Sequence, residues 1–266
     1  MANKVYENFF LSNEVEDQFN SHLNLQQFCT IDDTLAGTAG MKRMVNVYSA
    51  TNGTEKLAMG AGNTKSIEVT HNTKEYEILL AQNRFQYYDE EAMKDPMIVP
   101  VGMKHAGTDL YNTVNADIFA AFKTATLTVE ATTPGFDAFV DAQALLNAEE
   151  TLATFAFISN ADLAKLRKAL KEDLKYVESF AKTGYVGTVA GTNIYTKKDA
   201  TAGEIILATK QAVTLFIKKG TEVEQITQGK RSEEGANTRQ NTIFTRKYYL
   251  PVLTDATKAV KITIGA

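Results

Sequence analysis

Alternating apolar and polar residues predict a long β-hairpin in the first third of the chain. The strand period occurs in residues 43–48 and again in residues 66–73. Between them lies a small and polar stretch that contains Gly53, Gly60 and Gly62. Most compact domains join two strands with only about 2–5 residues. We therefore predict a protruding hairpin whose tip is functional or makes contacts between molecules.

Apolar residues at helical spacing predict a long helix further along. Pro96 and Pro100 precede it, and it runs to about Ala125. Apolar side chains recur at every fourth position from Leu110 to Ile118 and, with neighbouring aromatic residues, form one broad stripe. This pattern predicts a helix that packs on a sheet.

The second half alternates strands and helices after a break at residues 134–135, as in a separate α/β lobe. Residues 152–158 predict a buried strand, and Ser159 or Asn160 is the expected N-cap of the next helix. Asp162 in the first turn suits the helix dipole. The buried face is predicted at Leu163, Leu166, Leu170, Leu174 and Val177, with Gly184 as the stop. Later strands or short elements are predicted near residues 193–196, 205–207, 213–218, 223–227, 242–250 and 259–264.

The first 40 residues combine isolated aromatic side chains with Asn, Gln and acidic residues. This composition predicts an extended arm with a short helix. Exposed aromatic side chains would reduce solubility, so either the same subunit or a neighbour must cover the arm. The arm is the first indication of assembly.

The order of arm, long hairpin, long helix, α/β lobe and late strands is similar to that of tailed-bacteriophage major capsid proteins with the Hong Kong 97-like fold. The clearest local similarity is the strand that passes directly into a helix at residues 157–166, followed by residues 187–195 and 205–207. The resemblance covers nearly the whole chain and implies an α+β capsid fold.

The resemblance also implies a division of the chain. Residues 1–40 would be the N-arm and residues 41–75 the extended β-hairpin loop. Residues 76–129 would be the peripheral domain with its spine helix, and residues 130–235 the α/β axial domain. Residues 236–266 would be late strands that return to the peripheral and axial sheets.

By this resemblance the chain is a major capsid protein that builds an icosahedral head shell around double-stranded phage DNA, from hexamers and pentamers of itself. No catalysis and no cofactor are implied. A separate scaffolding protein is expected because no long, heptad-rich propeptide precedes the arm, and a portal protein and a decoration protein are further expected partners. The expected location is the virion, after assembly in the host cytoplasm. The alternatives are an encapsulin-like nanocompartment shell and an α/β enzyme.

Composition agrees with a container that does not bind DNA tightly. The formal net charge is −4, whereas non-specific DNA affinity comes from many Lys and Arg residues that neutralise phosphates. No stretch has the apolar length of a membrane span, and the start lacks the pattern of a secretion signal. The single cysteine, Cys29, cannot form an intramolecular disulfide.

The sequence gives little support for a metal site, a catalytic nucleophile or a crosslinking lysine. His22, His71 and His105 are far apart and lack the spacing of metal ligands. Cys29 is interpreted as a packed side chain and not as a nucleophile. Some relatives of the resembled family crosslink Lys and Asn between subunits. Lys56 or Lys65 would be the donors here, but solvation or an ion pair explains both lysines better.

Contacts between subunits are the remaining candidates for functional residues. Acidic pairs in polar turns are normally solvated, but in a shell they would meet arginines of neighbouring copies. The candidates combine arm aromatics, hairpin residues and these arginines. They are Tyr6, Phe9, Phe10, Arg43, Lys56, Met59, Arg84, Arg231, Arg239 and Arg246.

Overall fold

The computed structural model of the chain describes residues 23–36, 40–51, 53–146, 153–171, 187–226 and 239–265. In these ranges the strands form a four-stranded sheet, a six-stranded sheet and a two-stranded hairpin. None of the helices in the described ranges has the length and apolar character of a membrane span. The architecture is α+β, as predicted.

The first half of the chain builds the hairpin and the long helix. A 3-10 turn, Leu25–Phe28, precedes β1 (Thr30–Asp32), β2 (Lys42–Ala50), β3 (Val69–Glu77) and β4 (Leu79–Tyr88). Two helices follow, α1 (Asp89–Lys94) and α2 (Ile98–Lys123). The acidic residues 89–91 form the first turn of α1, where they face the positive end of the helix dipole.

The second half supplies the six-stranded sheet and the rest of the four-stranded one. Its elements are β5 (Leu127–Ala131), α3 (Phe136–Leu146), β6 (Thr154–Ile158), α4 (Asn160–Ala169), β7 (Thr188–Val189), β8 (Thr192–Thr196), β9 (Glu204–Thr209), β10 (Val213–Ile226), β11 (Gln240–Leu253) and β12 (Ala259–Ile264). A further 3-10 turn, Ala256–Lys258, joins the last two strands.

Helix α2 begins before Pro100, where the sequence had placed the start after it. Pro100 is in the first turn of the helix, where backbone N–H groups have no partner within the helix, so the missing N–H costs no hydrogen bond. The predicted apolar stripe is confirmed, since Leu110, Val114, Ile118 and Phe122 are all buried.

The four-stranded sheet has the order β1-β10-β11-β4. β10 is one long strand where the pattern had indicated two elements, at residues 213–218 and 223–227. Its pairing with β11 shifts register between Ile217 and Glu222. These irregularities interrupt the alternation of side chains while the strand continues, which explains the apparent break in the sequence. β10 and β11 therefore belong to one sheet, although β10 falls in the range expected for the axial domain.

The six-stranded sheet has the order β5-β12-β9-β6-β8-β7 and is covered on both faces near its centre. All five residues of β6 are buried. Phe155 and Phe157 belong to the core that contains α2, while Ala156 and Ile158 belong to the core with α3 and α4. A strand that is buried on both faces has a continuous run of apolar residues in its sequence, as β6 largely does.

The start of α4 is fixed as its sequence predicted. The Ser159 hydroxyl oxygen caps the helix by accepting from the Asp162 N–H at 3.1 Å. Asp162 is fully buried, and its carboxylate also accepts from the Gly203 N–H at 2.7 Å. The helix start is thereby joined to the turn before β9. Leu166 and Leu170 are buried as expected, whereas Leu174, Val177 and Gly184 lie outside the described residues.

Part of the expected N-arm belongs to the body of its own subunit. The 3-10 turn is held by Asn115 of α2, whose side-chain oxygen accepts from the Leu25 N–H at 3.1 Å. The Phe28 ring lies 4.8 Å from Phe155 and 5.2 Å from Phe157, measured between centroids. β1 then pairs with β10. Of the two covers expected for the arm, its own subunit or a neighbour, residues 23–32 have the first, because Leu25 and Phe28 are buried in the core that contains α2 and β6.

The predicted hairpin is confirmed and its tip is ordered by its own hydrogen bonds. β2 and β3 pair from Lys42 and Glu77 at the base to the far end of both strands. Beyond them lies the hairpin tip, residues 53–68. There the Glu55 carboxylate accepts from the Thr64 N–H at 2.8 Å and from the Thr64 hydroxyl at 2.6 Å. These bonds lower the pKa of Glu55. The tip is therefore a structured element and not a loose loop.

Two glycines in α2 give a matched test of its packing on β4. A Cβ at Gly102 would overlap the Phe85 ring, whereas a Cβ at Gly107 would meet no heavy atom within 4 Å. We expect Gly102→Ala to lower the free energy of unfolding by about 1–3 kcal/mol. Gly107→Ala should raise it by about 0.5–1 kcal/mol, because alanine favours the helix. Urea unfolding of dilute subunits measures both, and equal effects would contradict the packing described.

Acid should loosen the hairpin tip through Glu55. Because the folded pKa is below the ordinary value of about 4.5, the stabilisation is present above that value and is lost as the pH falls through the folded pKa. The protection factor of the Thr64 amide against hydrogen exchange should therefore be constant above the ordinary value of about 4.5 and fall as the pH drops below it. The control, Glu55→Gln, should show low protection with little pH dependence. A pH-independent protection factor in the unsubstituted chain would contradict the assignment.

Candidate assembly surfaces

The hairpin tip presents apolar side chains to solvent. Met59 is fully exposed, and Leu57 and Ile67 are 45% and 60% exposed. Among the described residues nothing covers these groups, and β2 and β3 pair only with each other. Exposed apolar patches on a structured projection indicate a binding surface. These side chains define the apolar surface that the predicted contacts between molecules would use.

A second surface is a groove between α2, β4 and β11, here named the α2–β4 groove. Its volume is about 670 Å³, which is within the usual range for binding clefts. Leu79 and Leu80 line it and are 65% and 45% exposed. Leu250 and Pro251 of the neighbouring strand β11 also line it. The groove therefore offers an open apolar floor.

One wall of this groove is acidic. Asp109, Thr113 and Asp117 lie at four-residue intervals along α2, so they share one face of the helix. The buried Tyr249 hydroxyl donates to the Asp117 carboxylate at 2.6 Å. Burial, and then the Asp117 carboxylate, raise the pKa of Tyr249. The Tyr249 phenol therefore stays protonated, and its hydrogen bond orients the Asp117 carboxylate.

The structure separates the predicted contact residues into three groups. Lys56 and Met59 are exposed on the tip, and Arg84 is exposed on β4. Arg239 pairs with Glu90 at 3.4 Å, and Arg246 pairs with Glu224. These two arginines therefore already have acidic partners within their own chain. Tyr6, Phe9, Phe10 and Arg231 lie outside the described residues, and of Arg43 only the backbone in β2 is described.

Sequence reasoning missed the groove residues. The available signal was the pair Leu79-Leu80, which breaks the alternation of β4 by placing apolar side chains on both faces of its start. In the sequence alone, Asp109 and Asp117 look like ordinary solvent-exposed acidic residues on a helix. Only the packing of α2 against β4 and β11 brings these groups to one groove.

The remaining candidate chemistry is structural. Cys29 is buried, its thiol donates to the Leu25 carbonyl at 3.5 Å, and burial raises the pKa of the thiol to about 12. The interpretation as a packed side chain is confirmed, because a thiol with this pKa is not an activated nucleophile. Within the described ranges, no three histidine, cysteine, aspartate or glutamate side chains are grouped as a metal ion requires.

Comparison with known proteins extends these observations. No protein-family model matches the chain. The major capsid protein of Staphylococcus phage phiMR11 is 26% identical over 262 residues, which cover 95% of this chain and 91% of that protein.

Solved structures show the same architecture. The capsid of a native GTA particle superposes with a TM-score of 0.70 at 12% identity, over 93% of this chain and 91% of that one. The capsid of cyanophage P-SCSP1u superposes with a TM-score of 0.67 at 16% identity, over 90% of this chain and 86% of that one. The chain thus has the Hong Kong 97-like capsid fold, and its predicted resemblance to tailed-phage major capsid proteins is confirmed.

Proposed function

We propose that this chain is the major capsid protein of a tailed phage and forms the icosahedral head shell from hexamers and pentamers of itself. The observation that carries the proposal is the pair of open surfaces on one subunit with the capsid fold: a projecting apolar tip and an apolar groove. Each is an interaction surface of the kind that assembly buries. The similarity to the phage phiMR11 major capsid protein supports the same role.

The proposed role is structural and not enzymatic. The one thiol is buried, and the open groove is lined by leucine, alanine, proline, glutamine, asparagine, threonine and aspartate side chains together with Tyr249, whose pKa is raised. An enzyme site would combine a pocket with several perturbed ionisable groups that converge on it. This groove is better suited to bind a protein segment.

Function in a head implies further partners. We propose a scaffolding protein that templates assembly, a portal protein at one vertex and packaged DNA held without sequence-specific contacts. A decoration protein would be an additional partner on the outside. The net charge of −4 supports a lining that does not bind DNA tightly. Assembly would take place in the host cytoplasm and end with the chain in the virion.

The domain division is proposed with two changes. The N-arm would end near residue 22, since residues 23–32 pack in the body. The extended loop (41–75) and the spine helix in 76–129 stay as expected. The axial domain would consist of the six-stranded sheet with α3 and α4, and β10 would be assigned to the peripheral sheet beside β4 and β11.

A charge on the tip should prevent shell formation. We expect Met59→Asp to leave the free energy of unfolding within about 0.5 kcal/mol of the original, because Met59 is fully exposed. Particles should be lost, because assembly would bury the new charge. Met93→Asp is the matched control, since Met93 is 79% exposed and lies on α1.

Sedimentation velocity and negative-stain microscopy of the overexpressed protein measure this effect. Shells or shell fragments from the unsubstituted chain and from Met93→Asp, but not from Met59→Asp, are expected. An unsubstituted chain that remains a monomer at all concentrations would contradict the proposed function. Nucleic acid within purified particles, and not a protein cargo, would distinguish a phage head from a nanocompartment.

A further inference from the structure

We infer that Lys197 and Lys123 fix the angle between helix α2 and the six-stranded sheet, and that this angle sets the size at which the shell closes. This inference rests on the proposed function and assigns the two lysines, here named the lysine clamp, as positioning residues for assembly. Lys123 is the last residue of α2, and Lys197 begins the connection between β8 and β9, residues 197–203. Each lysine contacts the element that carries the other.

Lys197 is a buried cation that faces α2. Its side chain is only 4% exposed, whereas lysine is almost never fully buried unless it is paired. The ammonium group lies 5.3 Å from the centroid of the Phe119 ring of α2 and 3.5 Å from the Asp199 carboxylate. Because Asp199 is 74% exposed, water solvates the acid while the lysine stays inside. Lys197 therefore holds its charge against the helix and does not extend it to solvent.

Lys123 reaches in the opposite direction, from α2 to the β8–β9 connection. Its ammonium group donates to the Thr201 hydroxyl at 2.6 Å and lies 3.6 Å from the Glu204 carboxylate. Thr201 is in the connection, and Glu204 is the first residue of β9. The same ammonium group lies 5.4 Å from the Phe119 centroid, so both clamp lysines meet one ring. The end of α2 and the connection are thereby joined from both sides.

The β8–β9 connection is in turn fixed to the six-stranded sheet and to α4. The Gly203 N–H donates to the fully buried Asp162 carboxylate at 2.7 Å, at the start of α4. The Gly203 carbonyl accepts from the Ile264 N–H at 2.8 Å, at the end of β12. A shift of α2 against the sheet would therefore break the contacts of the lysine clamp, because the connection stays with the sheet.

The charges of the clamp define a geometry that apolar packing defines less strictly. Burial of apolar surface is non-directional, whereas hydrogen bonds and a cation over an aromatic ring have preferred geometries. A buried charge also costs desolvation, and apolar residues of similar volume often stabilise a protein at least as well. The geometry that Lys197 imposes therefore explains its burial better than stability does.

The angle between α2 and the sheet matters because a shell repeats it in every subunit. In a closed assembly of identical subunits, the relation between neighbours determines how many copies complete the structure. A spread of angles within the subunit becomes a spread of these relations, and hence of the curvature of the shell. Loss of the clamp should therefore change the distribution of particle sizes and leave the fold of the subunit intact.

Lys197→Met tests the clamp, since methionine removes the charge and keeps an unbranched, apolar side chain. The urea midpoint of dilute subunits should not fall, because the exposed Asp199 carboxylate remains solvated. Particles should still form, but the fraction outside the main diameter class should rise several-fold. The matched control is Lys198→Met, which replaces the next lysine along the chain, an exposed one. Its particles should match those of the unsubstituted chain.

Negative-stain microscopy measures the particle diameters, and sedimentation velocity measures the same distribution in solution. Lys123→Met should broaden it as well, because that variant removes the other half of the clamp. Unchanged particle sizes in either lysine variant, equal broadening in the control, or no particles from Lys197→Met would overturn the inference.

Subunit stability separates positioning from a merely structural role. A lower urea midpoint for Lys197→Met would overturn the inference, because the lysine would then act through the stability of the subunit. Uniform particles from both the unsubstituted chain and Lys197→Met overturn only this inference, whereas absence of particles from the unsubstituted chain overturns the proposed function as well.

Discussion

The structure depends on one cluster of aromatic rings between α2 and the two sheets. Phe28, Phe119, Phe122, Phe155 and Phe157 meet there with centroid distances of 4.8 to 6.0 Å. Such pairs add about 0.5–1.5 kcal/mol each beyond the burial of their surface. The same core includes residues of β10 and β11. Helix α2 therefore joins both sheets into one body, as the proposed shell would require of its subunit.

The hairpin, in contrast to this rigid body, is a separate two-stranded sheet. Among the described residues its strands pair only with each other, and its apolar tip residues are exposed. The groove at its base is likewise open, although Tyr249 beneath it is buried and fixes Asp117. Among the described residues the hairpin tip and the groove are therefore both open apolar surfaces, as the proposed assembly requires.

Prediction from sequence was accurate where a local pattern has one outcome. The helical stripe of α2, the Ser159 cap and the last strand all followed from spacing and residue type. It failed where a distant contact decided the outcome. Phe28 looked like an arm residue because its partners Phe155 and Phe157 are far away in sequence, and β10 looked like two elements because its bulges interrupt the alternation.

The sequence by itself determined the order of elements, the projecting hairpin and the resemblance to capsid proteins, since these depend on periodicity and on the residues at element ends. Tertiary structure alone decided that residues 23–32 belong to the body and that Asp109, Leu79 and Leu250 line one groove. The reason is physical: side chains from three separate elements form a shared surface only after the aromatic core has fixed α2 against both sheets.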